Sequence, residues 1–219
     1  MGVQLTNSSV RVLGVDPGTI RTGWGVIERT GRAIKFRAAG VITTRGFHSL
    51  PERLRIVHAG LVDVIHTWAP HVPSLEKAFL AYNVQSALRL GEARGVALLA
   101  AAQAGLRIAE YNPTEIKTAV VGYGRAEKLQ VQKAVFALLG GGENPEALGL
   151  PVSKDATDAL AAALCHLNST KLTELILTTQ GRTQVAGYKG QRQRRTLRNV
   201  LPKGTVEKLL ATARSRGHS

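Results

Sequence analysis

The amino-acid sequence predicts an α/β fold in which helices flank a mixed five-stranded sheet. Three short strand patterns follow one another near the amino terminus, which is typical of an antiparallel meander. Two further strand patterns then alternate with segments whose apolar residues recur every three or four positions, and this spacing indicates helices.

The first hairpin is the segment on which the rest of the prediction depends. An apolar run over 12–15 leads to Asp16, Pro17-Gly18 marks a turn, and a second β-rich run covers 24–27. A third strand is predicted over 36–43. A carboxylate flanked by buried apolar residues is costly to ionise without a compensating cation. We therefore expect a metal ion, a lysine or a cationic substrate group beside Asp16.

The remaining elements follow in a clear order. The two remaining strands are predicted over 72–79 and 107–111. The predicted helices span 51–68, 83–104, 113–121, 126–139 and 154–167. A carboxylate, Glu76, lies where the fourth strand leaves the core. Gly91 and Gly95 share one helix face, and their helix-destabilising effect predicts a close approach to a sheet or another helix. Three strands, helix, strand, helix, strand and then helices is the order of a ribonuclease-H-like fold.

The last of these helices carries two more acids, Asp155 and Asp158, on one side. Beyond its first turn it is apolar nearly all round, which predicts packing on both sides. Hard cations such as Mg²⁺ or Mn²⁺ take oxygen ligands, and a pair of them can activate water and stabilise the leaving oxygen of a phosphodiester. Together with Asp16 and Glu76, these acids are candidate metal ligands.

Charge and cysteine content narrow the function classes. The 219 residues carry a net charge of +14 and are 44% hydrophobic. Residues 1–170 have 18 Lys and Arg against 13 Asp and Glu, whereas 171–219 have 11 against 2, so a polyanion, nucleic acid above all, is the expected partner. The single cysteine, Cys165, excludes an intrachain disulfide and a cysteine-rich zinc site. Neither a signal-peptide core nor a membrane-length apolar run is present, so we expect a cytoplasmic protein without a membrane partner.

The sequence resembles the RuvC family of Holliday-junction resolvases from Val12 to about Leu167. Six motifs carry the resemblance in the family's order: Leu-Gly-Val-Asp-Pro-Gly-Thr at 13–19, Leu-Glu-Lys-Ala-Phe at 75–79, Ala-Leu-Arg-Leu-Gly-Glu-Ala-Arg-Gly-Val-Ala at 87–97, Lys-Thr-Ala-Val-Val-Gly at 117–122, Ala-Glu-Lys at 126–128 and Asp-Ala-Thr-Asp-Ala-Leu-Ala at 155–161. It implies a metal-dependent endonuclease that makes paired symmetric nicks in four-way DNA junctions during recombination and repair, leaving 5′-phosphate and 3′-hydroxyl ends.

The resemblance also implies roles for individual residues. The catalytic carboxylates that bind two Mg²⁺ or Mn²⁺ ions per subunit are Asp16, Glu76, Asp155 and Asp158. The family's basic pair falls on Lys117 and Lys128, which serve catalysis and phosphate binding, and Arg125 is a further candidate DNA contact. Phe79 matches the aromatic residue that stacks on a base at the opened crossover. The family acts as a homodimer and with a branch-migration complex of the RuvA and RuvB type, and Gly91 and Gly95 are candidate parts of the dimer interface.

The predicted organisation is a short leader (1–10), a RuvC-like nuclease domain (11–170) and a basic, disordered tail (171–219) that includes Lys189-Gly-Gln-Arg-Gln-Arg-Arg195. The leader precedes the family's usual start and the tail is longer and more basic than the family core, so the resemblance assigns the tail no role.

The residues alone also allow different interpretations. Asp16 can be a turn residue and Asp155 a helix-terminal charge, Phe79 and Tyr82 can be core aromatics, and the three basic candidates can be a solvated face. An actin-like sugar kinase or ATPase also begins with Asp-x-Gly-Thr, but needs a duplicated domain that this chain lacks. A basic DNA-binding or ribosome-associated protein and a ribonuclease H proper are two more candidate classes.

Overall fold

A computed structural model describes the backbone of residues 9–47, 49–77, 84–141 and 153–180. Ten elements follow one another in these segments: β1 (Ser9–Asp16), β2 (Arg21–Thr30), β3 (Ala33–Thr43), α1 (Leu50–Trp68), β4 (Val72–Glu76), α2 (Val84–Gln103), β5 (Ala109–Tyr111), α3 (Pro113–Val121), α4 (Lys128–Leu138) and α5 (Lys154–Gln180). The predicted element order is confirmed.

The strands form one mixed sheet in the order β3-β2-β1-β4-β5. β2 pairs antiparallel with both β1 and β3, which confirms the predicted meander. β4 runs parallel to β1, and β5 runs parallel to β4. Because β1 and β4 are parallel neighbours, the acids at their carboxyl ends lie at the same edge of the sheet.

Helices cover both faces of the sheet, which explains why β1 is an almost continuous apolar run. Val12 belongs to a buried cluster formed with α3, α4 and α5. Leu13 and Val15 belong to a second cluster on the opposite face, with α1 and α2. The sequence prediction of a mixed α/β sheet flanked by helices is therefore confirmed.

Close packing between α5 and the sheet brings this helix against the end of β1. A side chain at Gly14 would collide with the carbonyl of Ala159, and one at Gly23 with the carbonyl of Asp155; at Gly25 it would lie 2.5 Å from the Leu160 side chain. Gly91 and Gly95 were expected to require such an approach. Within the described part of the chain that expectation is wrong, because no heavy atom lies within 4 Å of a Cβ built at either position.

Element boundaries differ from the predictions in several places. β4 covers Val72–Glu76, so the prediction that Glu76 lies at its end is confirmed, whereas β5 begins at Ala109 rather than 107. α4 begins at Lys128 because Glu127 is its N-cap, with the Gln130 side chain accepting the Glu127 N–H at 2.8 Å. α5 continues to Gln180, past the predicted helix end at 167 and past the proposed domain boundary at 170, so that boundary stays a prediction. Of the helices in the described ranges, none combines the length and apolarity that crossing a membrane requires.

Candidate active site

Four carboxylates gather where β1, β4 and α5 meet. Asp16 is the last residue of β1 and Glu76 the last of β4, and the pairing of Val15 with Leu75 brings the two acids to neighbouring strand ends. Asp155 and Asp158 lie in the first turns of α5, which packs on the glycines of β1 and β2. The site therefore combines residues up to 142 positions apart in the sequence.

Hydrogen bonds hold the loop that follows Asp16. The hydroxyl of Thr22 accepts the Gly18 N–H at 3.2 Å and donates to the Gly18 carbonyl at 2.8 Å. The hydroxyl of Thr44 donates to the Thr19 carbonyl at 2.7 Å. Both threonines are buried, so their hydroxyls need these partners. The turn is thereby fixed from β2 and from the residue after β3.

Two further side chains hold β4. Ser74 is buried and its hydroxyl donates to the Ala162 carbonyl of α5 at 2.7 Å. Arg94 of α2 donates to the Glu76 carbonyl and forms an ion pair with Glu110 of β5. The end of β4 is therefore held by α5 through Ser74 on one face of the sheet and by α2 through Arg94 on the other, and these contacts fix the backbone of Glu76.

The electrostatics show that the four acids affect one another. Burial raises the pKa of Asp16 to about 7, and the negative charges of Asp158, Asp155 and Glu76 add to the rise, whereas Lys128 opposes it. Burial and Asp158 likewise raise the pKa of Glu76, against the opposing charges of Lys117 and Lys128. The protein thus holds more negative charge at this point than its own cations compensate.

The predicted basic pair lies at the same site. Nζ of Lys128 is 2.7 Å from Oδ2 of Asp158, and this hydrogen bond raises the pKa of Lys128. A cavity of about 210 Å³ joins both lysines to two of the acids, and its lining consists of Glu76, Pro113, Ile116, Lys117, Lys128, Val131, Asp158 and Ala161. Acids and lysines therefore face one open space that a phosphate group can enter.

Asp155 has a partner that the sequence did not indicate. Nε of Arg21 donates to Oδ2 of Asp155 at 2.6 Å, and Nη2 of Arg21 donates to the hydroxyl of Ser153 at 3.0 Å. Ser153 in turn donates to the same Asp155 oxygen at 3.3 Å. Arg21 is 134 positions from Asp155, so only the β1–β2 hairpin packing against α5 reveals the contact; no local motif could have found it.

The donor chemistry of this site fits a hard divalent cation. All four donors are carboxylates. Burial first, and neighbouring negative charge second, raise the pKa values of Asp16 and Glu76, and a bound cation would offset both effects. As the side chains stand, however, the described residues include no group of three or more His, Cys, Asp or Glu arranged to hold a metal ion. Arg21 and Lys128 hold two of the acids, each by a short ion pair.

One predicted contact does not line this cavity, and another lies outside the described residues. Arg125 lies on the turn before α4 and is not one of the residues that line it. Phe79, with the neighbouring Tyr82, lies outside the described residues. Their assignments stay predictions.

Comparison with known proteins gives one consistent result. The family model described as crossover junction endodeoxyribonuclease RuvC matches residues 12–166. A protein of that name from Magnetococcus marinus is 48% identical over 161 residues, covering 74% of this chain and 86% of its own. One from Cupriavidus metallidurans is 42% identical over 186 residues, covering 85% and 97%.

A solved structure agrees with this result. The structure of Thermus thermophilus RuvC in complex with Holliday junction substrate superposes with a TM-score of 0.67 at 31% identity, covering 75% of this chain and 96% of the other. The yeast mitochondrial Holliday junction resolvase superposes with a TM-score of 0.61 at 14% identity, covering 80% of this chain and 85% of the other, which supports the fold.

Proposed function

This chain belongs to the RuvC family of crossover junction endodeoxyribonucleases, and from that premise we propose that it resolves four-way DNA junctions during recombination and DNA repair. It cuts two opposed strands symmetrically and leaves 5′-phosphate and 3′-hydroxyl ends. The single observation that carries the proposal is the convergence of four carboxylates from β1, β4 and α5 beside two lysines that share a cavity with Glu76 and Asp158.

In this proposal Asp16, Glu76, Asp155 and Asp158 hold two divalent cations, either Mg²⁺ or Mn²⁺. The excess negative charge at Asp16 supports that assignment, because like charges gathered so closely repel unless a cation joins them. When bound, such ions supply an activated water and stabilise the leaving oxygen of the phosphodiester.

The lysines have separate tasks. Lys117 lines the cavity and its charge acts on Glu76, so it is suited to hold the scissile phosphate. Lys128 donates a hydrogen bond to Asp158 and presents its remaining N–H groups to the cavity. We assign Arg125 to the DNA backbone and Phe79 to stacking on a base at the opened crossover.

A homodimer suits a junction that needs two symmetrical nicks. Supporting this, α2 exposes Leu88 and Leu99, at 62% and 51%, on a helix that also leaves the sides of Gly91 and Gly95 open. A second copy of α2 would bury these leucines and use the two glycines for a close approach that the described residues of one chain do not make.

Three wider assignments belong to the same proposal. The protein works in the cytoplasm with a branch-migration complex of the RuvA and RuvB type. The basic residues beyond 170 act as an electrostatic anchor on DNA, as their 11 Lys and Arg against 2 acids suggest. Their contribution should therefore weaken steeply with added salt.

The test is nicking of a synthetic mobile four-way junction, with linear duplex and an RNA–DNA hybrid as controls, in Mg²⁺ and then in Mn²⁺. Wild-type protein should make paired symmetric nicks only in the junction. Asp16→Asn should bind the junction and leave it uncut, because it removes a metal ligand and not a phosphate contact. Cutting of the hybrid alone would assign a ribonuclease H, and junction binding without any cutting would assign a binding protein.

A further inference from the structure

Arg21 connects the hairpin of the first carboxylate to the helix of the last two. Its Nε binds Oδ2 of Asp155 at 2.6 Å and its Nη2 binds the Ser153 hydroxyl at 3.0 Å. Ser153 closes a three-membered ring of contacts by donating to the same Asp155 oxygen at 3.3 Å. Two donors therefore converge on Oδ2, and neither of them engages Oδ1.

The guanidinium is well placed to fix a side-chain orientation. Arg21 is the first residue of β2 and pairs with Thr43 across the sheet, so its backbone is held by the ladder. A guanidinium offers its N–H groups in a rigid planar fork, which a lysine ammonium cannot reproduce. Ligating carboxylates in metal sites are oriented by such hydrogen-bonded neighbours.

We propose that Arg21, together with Ser153, is a positioning residue for Asp155. The pair holds Oδ2 and turns Oδ1 toward the cation site. The inference rests on the proposed function, since it takes Asp155 to be a metal ligand. It goes beyond that function because neither Arg21 nor Ser153 is one of the four carboxylates or the basic pair.

Two possible roles of Arg21, orienting Asp155 and neutralising it, predict opposite changes in cation affinity. If Arg21 orients Asp155, losing the fork weakens cation binding even when a positive charge is retained. If Arg21 only neutralises Asp155, losing the charge strengthens cation binding, because the arginine then competes with the ion. The variants Arg21→Lys and Arg21→Gln separate these cases, and Ser153→Ala removes the second donor without changing charge.

The experiment measures binding of Mn²⁺ alone to the full chain without DNA, by calorimetry and by the electron paramagnetic resonance signal of free Mn²⁺. Arg21→Lys and Arg21→Gln should each weaken Mn²⁺ binding by roughly 10- to 100-fold, and Ser153→Ala by less, as outer hydrogen-bond partners of metal ligands do. Arg32→Gln changes an exposed arginine on the turn between β2 and β3; it is the matched control and should bind Mn²⁺ as wild type does.

The other possible results each contradict either the positioning role of Arg21 or the metal site. Wild-type affinity in Arg21→Lys, or tighter binding in Arg21→Gln, overturns the positioning role. If the arginine variants fail to fold by circular dichroism, Ser153→Ala decides alone, and unchanged affinity there overturns the role. If Asp155→Asn binds Mn²⁺ as wild type does, Asp155 is not a ligand and the positioning role is overturned. If wild type binds no Mn²⁺, the metal site itself fails, which is a failure of the proposed function.

Discussion

Nζ of Lys128 lies 2.7 Å from Oδ2 of Asp158, so the first residue of α4 is joined to the second turn of α5. The same lysine lowers the pKa of both Asp16 and Glu76 through its charge. One cation therefore acts on all four carboxylates, Asp155 included, although its side chain is largely exposed to solvent. This makes Lys128 the residue whose loss should affect the site most without damaging the core.

Lys128→Met should reduce junction nicking by about 10²- to 10³-fold, the range found when one preorganised electrostatic donor is removed from an active site. Junction affinity should fall much less, because the other basic residues remain. Lys133→Met changes a lysine elsewhere on the same helix that does not line the cavity, and it is the control. Single-turnover nicking and a gel-shift titration measure the two effects, and a Lys128→Met protein that nicks at the wild-type rate would contradict this role.

Asp16→Asn should stabilise the metal-free protein at pH 8. The pKa of Asp16 is about 7 when folded against 3.8 for an ordinary aspartate, so between these values the folded state holds a proton that the unfolded state has lost. Raising the pH through this window lowers the free energy of unfolding, by up to about 4 kcal/mol at about 1.36 kcal/mol per unit. Asp16→Asn has no carboxyl group to titrate at this position, so it does not lose this stability as the pH rises.

Urea unfolding in a chelator at pH 5 and pH 8 measures the effect. The stability gap between Asp16→Asn and wild type should be larger at pH 8 than at pH 5 and should shrink when Mg²⁺ is added to wild type. Asp63→Asn changes an exposed aspartate on α1 and serves as control. An equal stability gap at both pH values would show that ionising Asp16 does not destabilise the folded protein.

Local patterns were sufficient to predict that Asp16 and Glu76 lie on the first and fourth strands, because alternating and apolar runs are read within a few residues. They were also sufficient to place Asp155 and Asp158 on one side of a buried helix. The end of that helix was not predictable in the same way. The helix was predicted to end at 167, but neither glycine nor proline occurs between 154 and 180 to interrupt it.

Contacts between distant segments outside the predicted carboxylate cluster could not be read from local patterns. The Arg21–Asp155 ion pair and the collision of a side chain at Gly23 with α5 both depend on how one helix packs across two strands. Glycines in a helix and glycines in a strand look alike in sequence, and the close approach was expected at Gly91 and Gly95 rather than on the sheet. Only the three-dimensional packing distinguishes them.

Gly23→Ala should therefore disturb the active site although Gly23 is not one of the carboxylates. The new methyl group would meet the backbone of Asp155 and Ala156, which cannot move without shifting the start of α5. Overpacking of this kind costs roughly 1–3 kcal/mol and would displace Asp155 and its partner Arg21. Both the melting temperature and the nicking rate should fall.

Gly124→Ala is the matched control, because its new methyl group would make only an ordinary contact, 3.4 Å from Cβ of Thr114. It should leave the melting temperature and nicking close to wild type. A Gly23→Ala protein with wild-type stability and nicking would mean that α5 does not need to lie so close to β2.

Gly95→Leu should dissociate the proposed dimer. Within one chain a Cβ at this position meets no described atom within 4 Å, and replacing a helical glycine favours the helix by about 1 kcal/mol. The isolated subunit should therefore be at least as stable as before, and we expect the loss to come from contact with a second copy. Sedimentation equilibrium should show a weaker dimer, and nicking should change from paired to single cuts.

Ala104→Leu, at an exposed position on the turn after α2, should leave the dimer intact. If Gly95→Leu dimerises as wild type does, this face of α2 is not the interface, and the exposed Leu88 and Leu99 need another explanation.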